Sequence, residues 1–179
     1  MKQYFIGFFT GSCLAISLFF FIGARKNLGD IQVNSITILD NGDGGFIQTY
    51  NKDGNLTGYF GNSQDGGGFV ETFSKTGKAT SYLGSSDEGG FLETYNENGV
   101  YSSYIGTDSE GFGFIETFNK EGLISTYLGT NPSGGGFITT FNNAGKHRLN
   151  IGTNKEQEGF IVLSNSDGSD GWNIKSDGK

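Results

Sequence analysis

Proline, cysteine, histidine and tryptophan occur once each, as Pro132, Cys13, His147 and Trp172, and each scarcity removes a class of protein. With 32 glycines, a single proline and no triplet rule, the chain is not collagen-like. One cysteine permits no intramolecular disulfide and leaves the redox compartment open. A lone histidine with a lone cysteine excludes a histidine pair, a cysteine-rich metal site and a Cys/His dyad. Positive charge is also short: the formal net charge is −7, and from Asp40 onward 9 Lys and Arg face 18 Asp and Glu. Such a surface repels phosphate backbones, so nucleic acid is not an expected partner. The carboxylates are scattered rather than massed into a tail, as in a solubilising surface.

Aromatic residues, by contrast, make up 15% of the chain, with 17 Phe and 8 Tyr, too much apolar surface for a disordered segment. Set among Thr, Asn and Gly, they form a strand-and-turn composition.

No charge occurs between Lys2 and Arg25. Residues 4–23, YFIGFFTGSCLAISLFFFIG, would form a helix of ~30 Å, the thickness of a hydrocarbon core. An uncleaved membrane anchor is expected here rather than a signal peptide. The apolar run is longer than a signal peptide needs, and Ile22-Gly23-Ala24 is a poor cleavage site. Lys2 and the amino terminus balance Arg25 and Lys26, so charge leaves the orientation open. The Gly/Asn/Thr/Ser-rich remainder is expected outside the cytoplasm. Cys13 reads as a packed cysteine of this segment.

From residue 45 the chain repeats itself. Phe46, Phe69, Phe91, Phe114, Phe137 and Phe160 each follow a glycine, at spacings of 23, 22, 23, 23 and 23 residues. Each precedes an aliphatic residue, then in five repeats a threonine and an aromatic, as in Phe114-Ile115-Glu116-Thr117-Phe118. A turn follows: NKDG (51–54), SKTG (74–77), NENG (96–99), NKEG (119–122), NNAG (142–145) and NSDG (165–168). Asn or Ser in first place bonds the turn backbone, and Gly in fourth place takes positive φ. A second run ends in Tyr-x-Gly, as at Tyr82-Leu83-Gly84 and Tyr127-Leu128-Gly129, and a longer Gly/Ser/Asp loop leads to the next Phe. Each unit therefore reads as a β-hairpin. The tight turn demands antiparallel pairing, and stacking Glu71, Glu93 and Glu116 directly in a parallel solenoid would set carboxylates ~4.8 Å apart. An elongated antiparallel meander is expected, with a β-solenoid as the alternative. Neither face of a strand is purely polar, so both are expected to be partly covered.

Residues 29–40 read as a leading strand that caps the array, and the last repeat degenerates, with Ser164 in place of the aromatic. The expected organisation is a membrane anchor over 1–26, a linker and capping strand over 27–44, six hairpins over 45–175 starting near Gly45, Gly68, Gly90, Gly113, Gly136 and Gly159, and a tail over 176–179. Asp40-Asn41-Gly42-Asp43-Gly44 hints at a calcium loop, but its glycines stand where ligands are needed, and a plain turn is expected. Glycine-rich loops such as Asp65-Gly66-Gly67-Gly68 precede strands and lack the helix N-terminus of a phosphate site.

The layout of anchor, β-branched strand and iterated Phe-x-x-Thr-Tyr-Asn-x-x-Gly…Tyr-Leu-Gly hairpins resembles bacterial membrane-anchored proteins of unknown function, over nearly the whole chain. The 23-residue period and Tyr59-Phe60-Gly61 are also similar to MORN repeats, which form elongated hairpin sheets; Gly84, only six residues before Gly90, departs from that pattern. The resemblance implies a bacterial envelope protein and brings no catalytic residues with it. The expectation is a non-catalytic, membrane-anchored structural or interaction module, touching lipid through residues 4–23 and binding itself or another envelope protein. The alternative is a carbohydrate or cell-wall binder using its aromatic columns. No catalytic, metal or cofactor-binding residue is assigned, and no cofactor is expected.

Overall fold

A computed structural model describes residues 2–23, 32–40, 42 and 44–176. The chain divides into two compact units, Met1–Thr37 and Ile38–Lys179. The first contains the helix α1 (Lys2–Gly23). Its apolar residues are interrupted by Gly7, Thr10, Gly11, Ser12 and Ser17, whose hydroxyl donates back to the Cys13 carbonyl at 2.8 Å. Among the described residues no helix is long and apolar enough to cross a membrane, so the span expected over residues 4–23 finds no support in the structure.

The second unit is one open sheet of twelve strands. They are β1 (Phe46–Tyr50), β2 (Leu56–Asn62), β3 (Gly68–Phe73), β4 (Ala79–Ser86), β5 (Gly89–Tyr95), β6 (Tyr101–Thr107), β7 (Gly113–Phe118), β8 (Ile124–Thr130), β9 (Gly136–Phe141), β10 (His147–Thr153), β11 (Gly159–Ser164) and β12 (Asp170–Lys175). They pair in chain order, and every pairing is antiparallel. This is the meander and not the solenoid. The leading strand is a correction: residues 32–40 carry no strand, residues 29–31 lie outside the described residues, and β1 forms the edge. The Asp40 carboxylate accepts the Gly42 and Gly44 N–H groups at 2.7 and 2.9 Å, which bends the segment into a turn instead of extending it along β1.

The turns explain the meander. Asn119 Oδ1 accepts the N–H groups of Glu121 and Leu123 at 3.1 and 2.9 Å, and Gly122 adopts φ 83° to close the loop. The connection expected to be a long loop is built the same way. Asn131 Oδ1 accepts from Ser133 and Gly135, and Pro132 supplies the pre-set φ of the second turn position. Asp108 and Asn154 repeat the arrangement, although Gln157, at φ 65°, stands where the others have glycine. One link is shorter. Between β4 and β5, Ser86 pairs with Gly89 across Asp87 and Glu88 alone, which is why Phe69 and Phe91 are 22 residues apart instead of 23.

Each first turn is followed by a one-residue bulge. The bulged residue is Thr or Ser in the first four hairpins, and three of these hydroxyls donate to a carbonyl of the facing strand: Thr57 to Thr49 at 3.1 Å, Thr80 to Thr72 at 3.0 Å and Ser125 to Thr117 at 3.1 Å. A hydroxyl is wanted here because the bulge locally disrupts the backbone ladder. At β10 the position is Arg148.

The sheet is a single layer. No hydrophobic side chain among the described residues is fully buried, and the buried polar residue is Thr139, 3% exposed. Within one chain no second layer covers the sheet among the described residues, and the apolar residues of one face lie open.

Candidate functional site: the two faces of one sheet

Side chains alternate between faces along a strand, so cross-strand register assigns each residue to a face. On one face, the ring face, Phe46, Phe69, Phe91, Phe114 and Phe137 stand opposite Gly61, Gly84, Gly106, Gly129 and Gly152 in a row across the sheet. The tyrosine two residues before each of the first four glycines lays its ring over the bare glycine. A Cβ added at Gly84 would lie 2.3 Å from Tyr82 Cε1, and one at Gly106 would lie 2.6 Å from Tyr104 Cε1. Each tyrosine ring thus drops into the slot between two phenylalanines. Nine rings stack in sequence, Phe46–Tyr59–Phe69–Tyr82–Phe91–Tyr104–Phe114–Tyr127–Phe137, with centroids 4.8–5.9 Å apart and planes within 7–22°. Each contact contributes ~0.5–1.5 kcal/mol beyond its area.

Beside this ladder the residues facing the tyrosines are Gln48, Glu71, Glu93, Glu116 and Thr139, and the row continues to Val162, which faces Asn150. The glutamates lie two strands apart, roughly 9.6 Å, with a tyrosine between each pair. Tyr95 donates its hydroxyl to Glu93, and Tyr50 donates to Gln48 at 2.7 Å. Burial, then the Glu93 hydrogen bond and charge, push the Tyr95 phenol well up. Tyr82, Tyr104 and Tyr127 are raised by burial in the ladder and then by the neighbouring carboxylates.

Burial raises Glu71 and Glu116 above their ordinary value of 4.5. A carboxyl that holds its proton longer folded than unfolded contributes most at pH below its unfolded value, and that contribution declines as pH rises through the folded value. Glu116→Gln is therefore expected to raise the urea midpoint at pH 7 and to leave it unchanged near pH 3. A variant that loses stability equally at both values would show that burial does not govern this carboxyl.

The opposite face carries Ile47, Phe60, Val70, Leu83, Leu92, Ile105, Ile115, Leu128, Ile138, Ile151, Ile161 and Ile174, register partner to register partner across all twelve strands. At ~4.8 Å per strand this apolar stripe is roughly 50 Å long. Ten of the twelve are 37–58% exposed. A hydroxyl row flanks it, with Thr72 bonded to Ser81 and Thr94 to Ser103, both at 2.7 Å. Toward the C-terminus that row turns apolar, at Leu149, Leu163 and Trp172. Apart from Arg148 at the β10 bulge, the strand residues of this face are uncharged.

Residues singled out in the sequence fall as follows. His147 lies at the turn end of the ring face against Phe141, centroids 4.8 Å apart. Cys13 is exposed on α1. The Asp40 loop forms the turn described above, and its two N–H donors hold the carboxyl below the usual range. Tyr82 and Tyr127, which the carbohydrate alternative would use for stacking on sugars, have both faces against phenylalanines. Stacked hairpins sharing an apolar stripe were foreseeable from the repeat; what only register supplies is that the aliphatic after every repeat phenylalanine and the residue inside every Tyr-x-Gly pair with one another to form it. Among the described residues, no group of three or more His, Cys, Asp or Glu is placed to hold a metal.

No family model matches the chain, so the likeness to MORN repeats is unsupported. No curated protein matches either. Among solved structures, the chain is similar to a porin-like protein from Bacteroides uniformis ATCC 8492. The identity is 15% and the TM-score 0.24, over 72% of this chain and 58% of that one. This chain thus spans less than two thirds of that protein.

Proposed function

We propose that this chain is a non-catalytic interaction module of the bacterial envelope, attached to a lipid bilayer through residues 4–23, with its sheet outside the cytoplasm. The observation that carries this reading is the uncharged apolar stripe, open on a single-layer sheet with no buried hydrophobic residue among those described. A monomer's largest exposed apolar patch is ~300–600 Å² and commonly marks an interaction site. The uncharged run from Tyr4 to Gly23 supports attachment to lipid. The ring ladder supplies stiffness rather than a ligand surface, because its ring faces are spent on one another.

The full chain is expected to sediment with membranes after alkaline carbonate washing and to engage protein, its own or another, when solubilised in mild detergent. A chain released by carbonate, monomeric by light scattering and without a stoichiometric partner would overturn the reading. Binding on a glycan array, lost in Tyr82→Ala and Tyr127→Ala, would replace it with carbohydrate recognition.

A further inference from the structure

We propose that the occupant of the apolar stripe is a second copy of this chain, packed face to face to form a two-layered sandwich. The inference rests on the interaction reading above and names its partner. Three observations favour a copy over a foreign protein. The first is area: ten residues at 37–58% exposure present on the order of 800 Å², which is what one partner brings to a standard stable interface. The second is charge. The sheet unit is strongly acidic, so two copies repel unless they meet where the charge is not. Its strand carboxylates Glu71, Glu93 and Glu116 stand on the ring face, and the stripe is flanked by hydroxyls and glycine and, toward the C-terminus, by apolar residues and the cationic Arg148. The third is shape. The stripe runs unbroken and centred across all twelve strands, so it is its own complement under a two-fold axis, and two such sheets pack ~10 Å apart.

The centre lies between Ile105 and Ile115, which pair across β6 and β7. With the axis along the stripe each of these positions faces its own counterpart, and with the axis along the strands Ile115 faces the partner's Ile105, one strand away from its counterpart. The experiment uses the full chain in mild detergent with Cys13→Ser as background. Ile115→Cys, treated with a bifunctional thiol-reactive cross-linker that spans ~10 Å, the spacing of two packed sheets, is expected to give a covalently linked dimer in high yield, and Glu71→Cys on the ring face is not. Adding Leu83→Glu and Leu128→Glu, both on the exposed stripe, is expected to weaken the dimer at least tenfold by light scattering, with an unchanged far-ultraviolet spectrum showing a folded sheet.

An Ile115→Cys chain that stays unlinked while the protein is dimeric overturns the inference, since the copies then meet elsewhere. A monomeric chain with a different protein bound along the stripe overturns it but leaves the interaction reading standing. A monomeric chain with nothing bound ends both.

Discussion

Alanine at Gly84 is expected to destabilise the sheet about as much as alanine at Tyr82, and the two together little more than either alone. A Cβ at Gly84 would fall 2.3 Å from Tyr82 Cε1 and 3.1 Å from Cζ, so the ring must leave its slot. Leaving breaks the contacts with Phe69 and Phe91, at centroid distances of 4.9 and 5.5 Å. Two ring contacts and the burial of one ring are together worth ~2–3 kcal/mol. Tyr82→Ala loses the same contacts by a shorter route, which makes the pair strongly non-additive. Gly90 is the control: a Cβ there meets nothing nearer than 3.8 Å, so Gly90→Ala is expected to be neutral or slightly stabilising. Because each hairpin packs only on its neighbours, the loss should appear first as faster amide exchange in β3–β5 rather than uniformly. Additive losses in urea titrations of the three variants, or a neutral Gly84→Ala, would mean the ring does not need the bare glycine.

That coupling shows how far the sequence could be read. The hairpin period, the antiparallel meander and the Asn-x-x-Gly turns were legible because each rests on local chemistry: an Asn oxygen within reach of two N–H groups, a fourth residue free to take positive φ. The second set of turns obeys the same rule, at Asp108–Gly111 and Asn131–Gly134. It was passed over because flanking glycines such as Gly113 and Gly135-Gly136 blurred it into a loose loop. Tyr-x-Gly was visible as a motif and opaque as a device, since the ring's partners Phe69 and Phe91 lie on two other strands and only register brings them to Gly84. The openness of the apolar stripe was illegible for another reason. One aliphatic per strand, repeated in register, predicts burial, and whether a second layer covers it is decided by elements a repeat does not encode. The capping strand failed because Ile36 and Ile38 have the alternation of a strand, while the Asp40 turn next to them keeps the segment from running along β1.

Where the device lapses, it can be restored. In the fifth hairpin Asn150 occupies the tyrosine position while Gly152 remains, so the ladder halts at Phe137 and Phe160 stands beyond an empty slot. Gly152 faces Phe137 Cβ at 2.5 Å and Gly136 O at 2.7 Å from an ideal Cβ. Gly61, whose slot accepts Tyr59, has nearly the same surroundings, with Phe46 Cβ at 2.7 Å and Gly45 O at 2.6 Å. Asn150→Tyr is therefore expected to bridge Phe137 to Phe160, which sit two strands or roughly 9.6 Å apart, twice the stacking distance. Two new ring contacts are worth ~1–3 kcal/mol, against the loss of one hydrogen bond of ~1 kcal/mol. The bond lost is the one Thr139 donates to Asn150 at 3.3 Å. A net gain of ~1–2 kcal/mol corresponds to a Tm higher by about 2–8 °C. Thr139 and Val162, which flank position 150, are smaller than the glutamates that flank the other tyrosines, so nothing in the row obstructs the ring. Adding Gly152→Ala should more than cancel the gain, because its Cβ fills the slot and also meets the Gly136 carbonyl at 2.7 Å. An unchanged or lower Tm in Asn150→Tyr, with exchange in β10–β12 no slower, would show that ring stacking across bare glycine is not what stiffens this sheet.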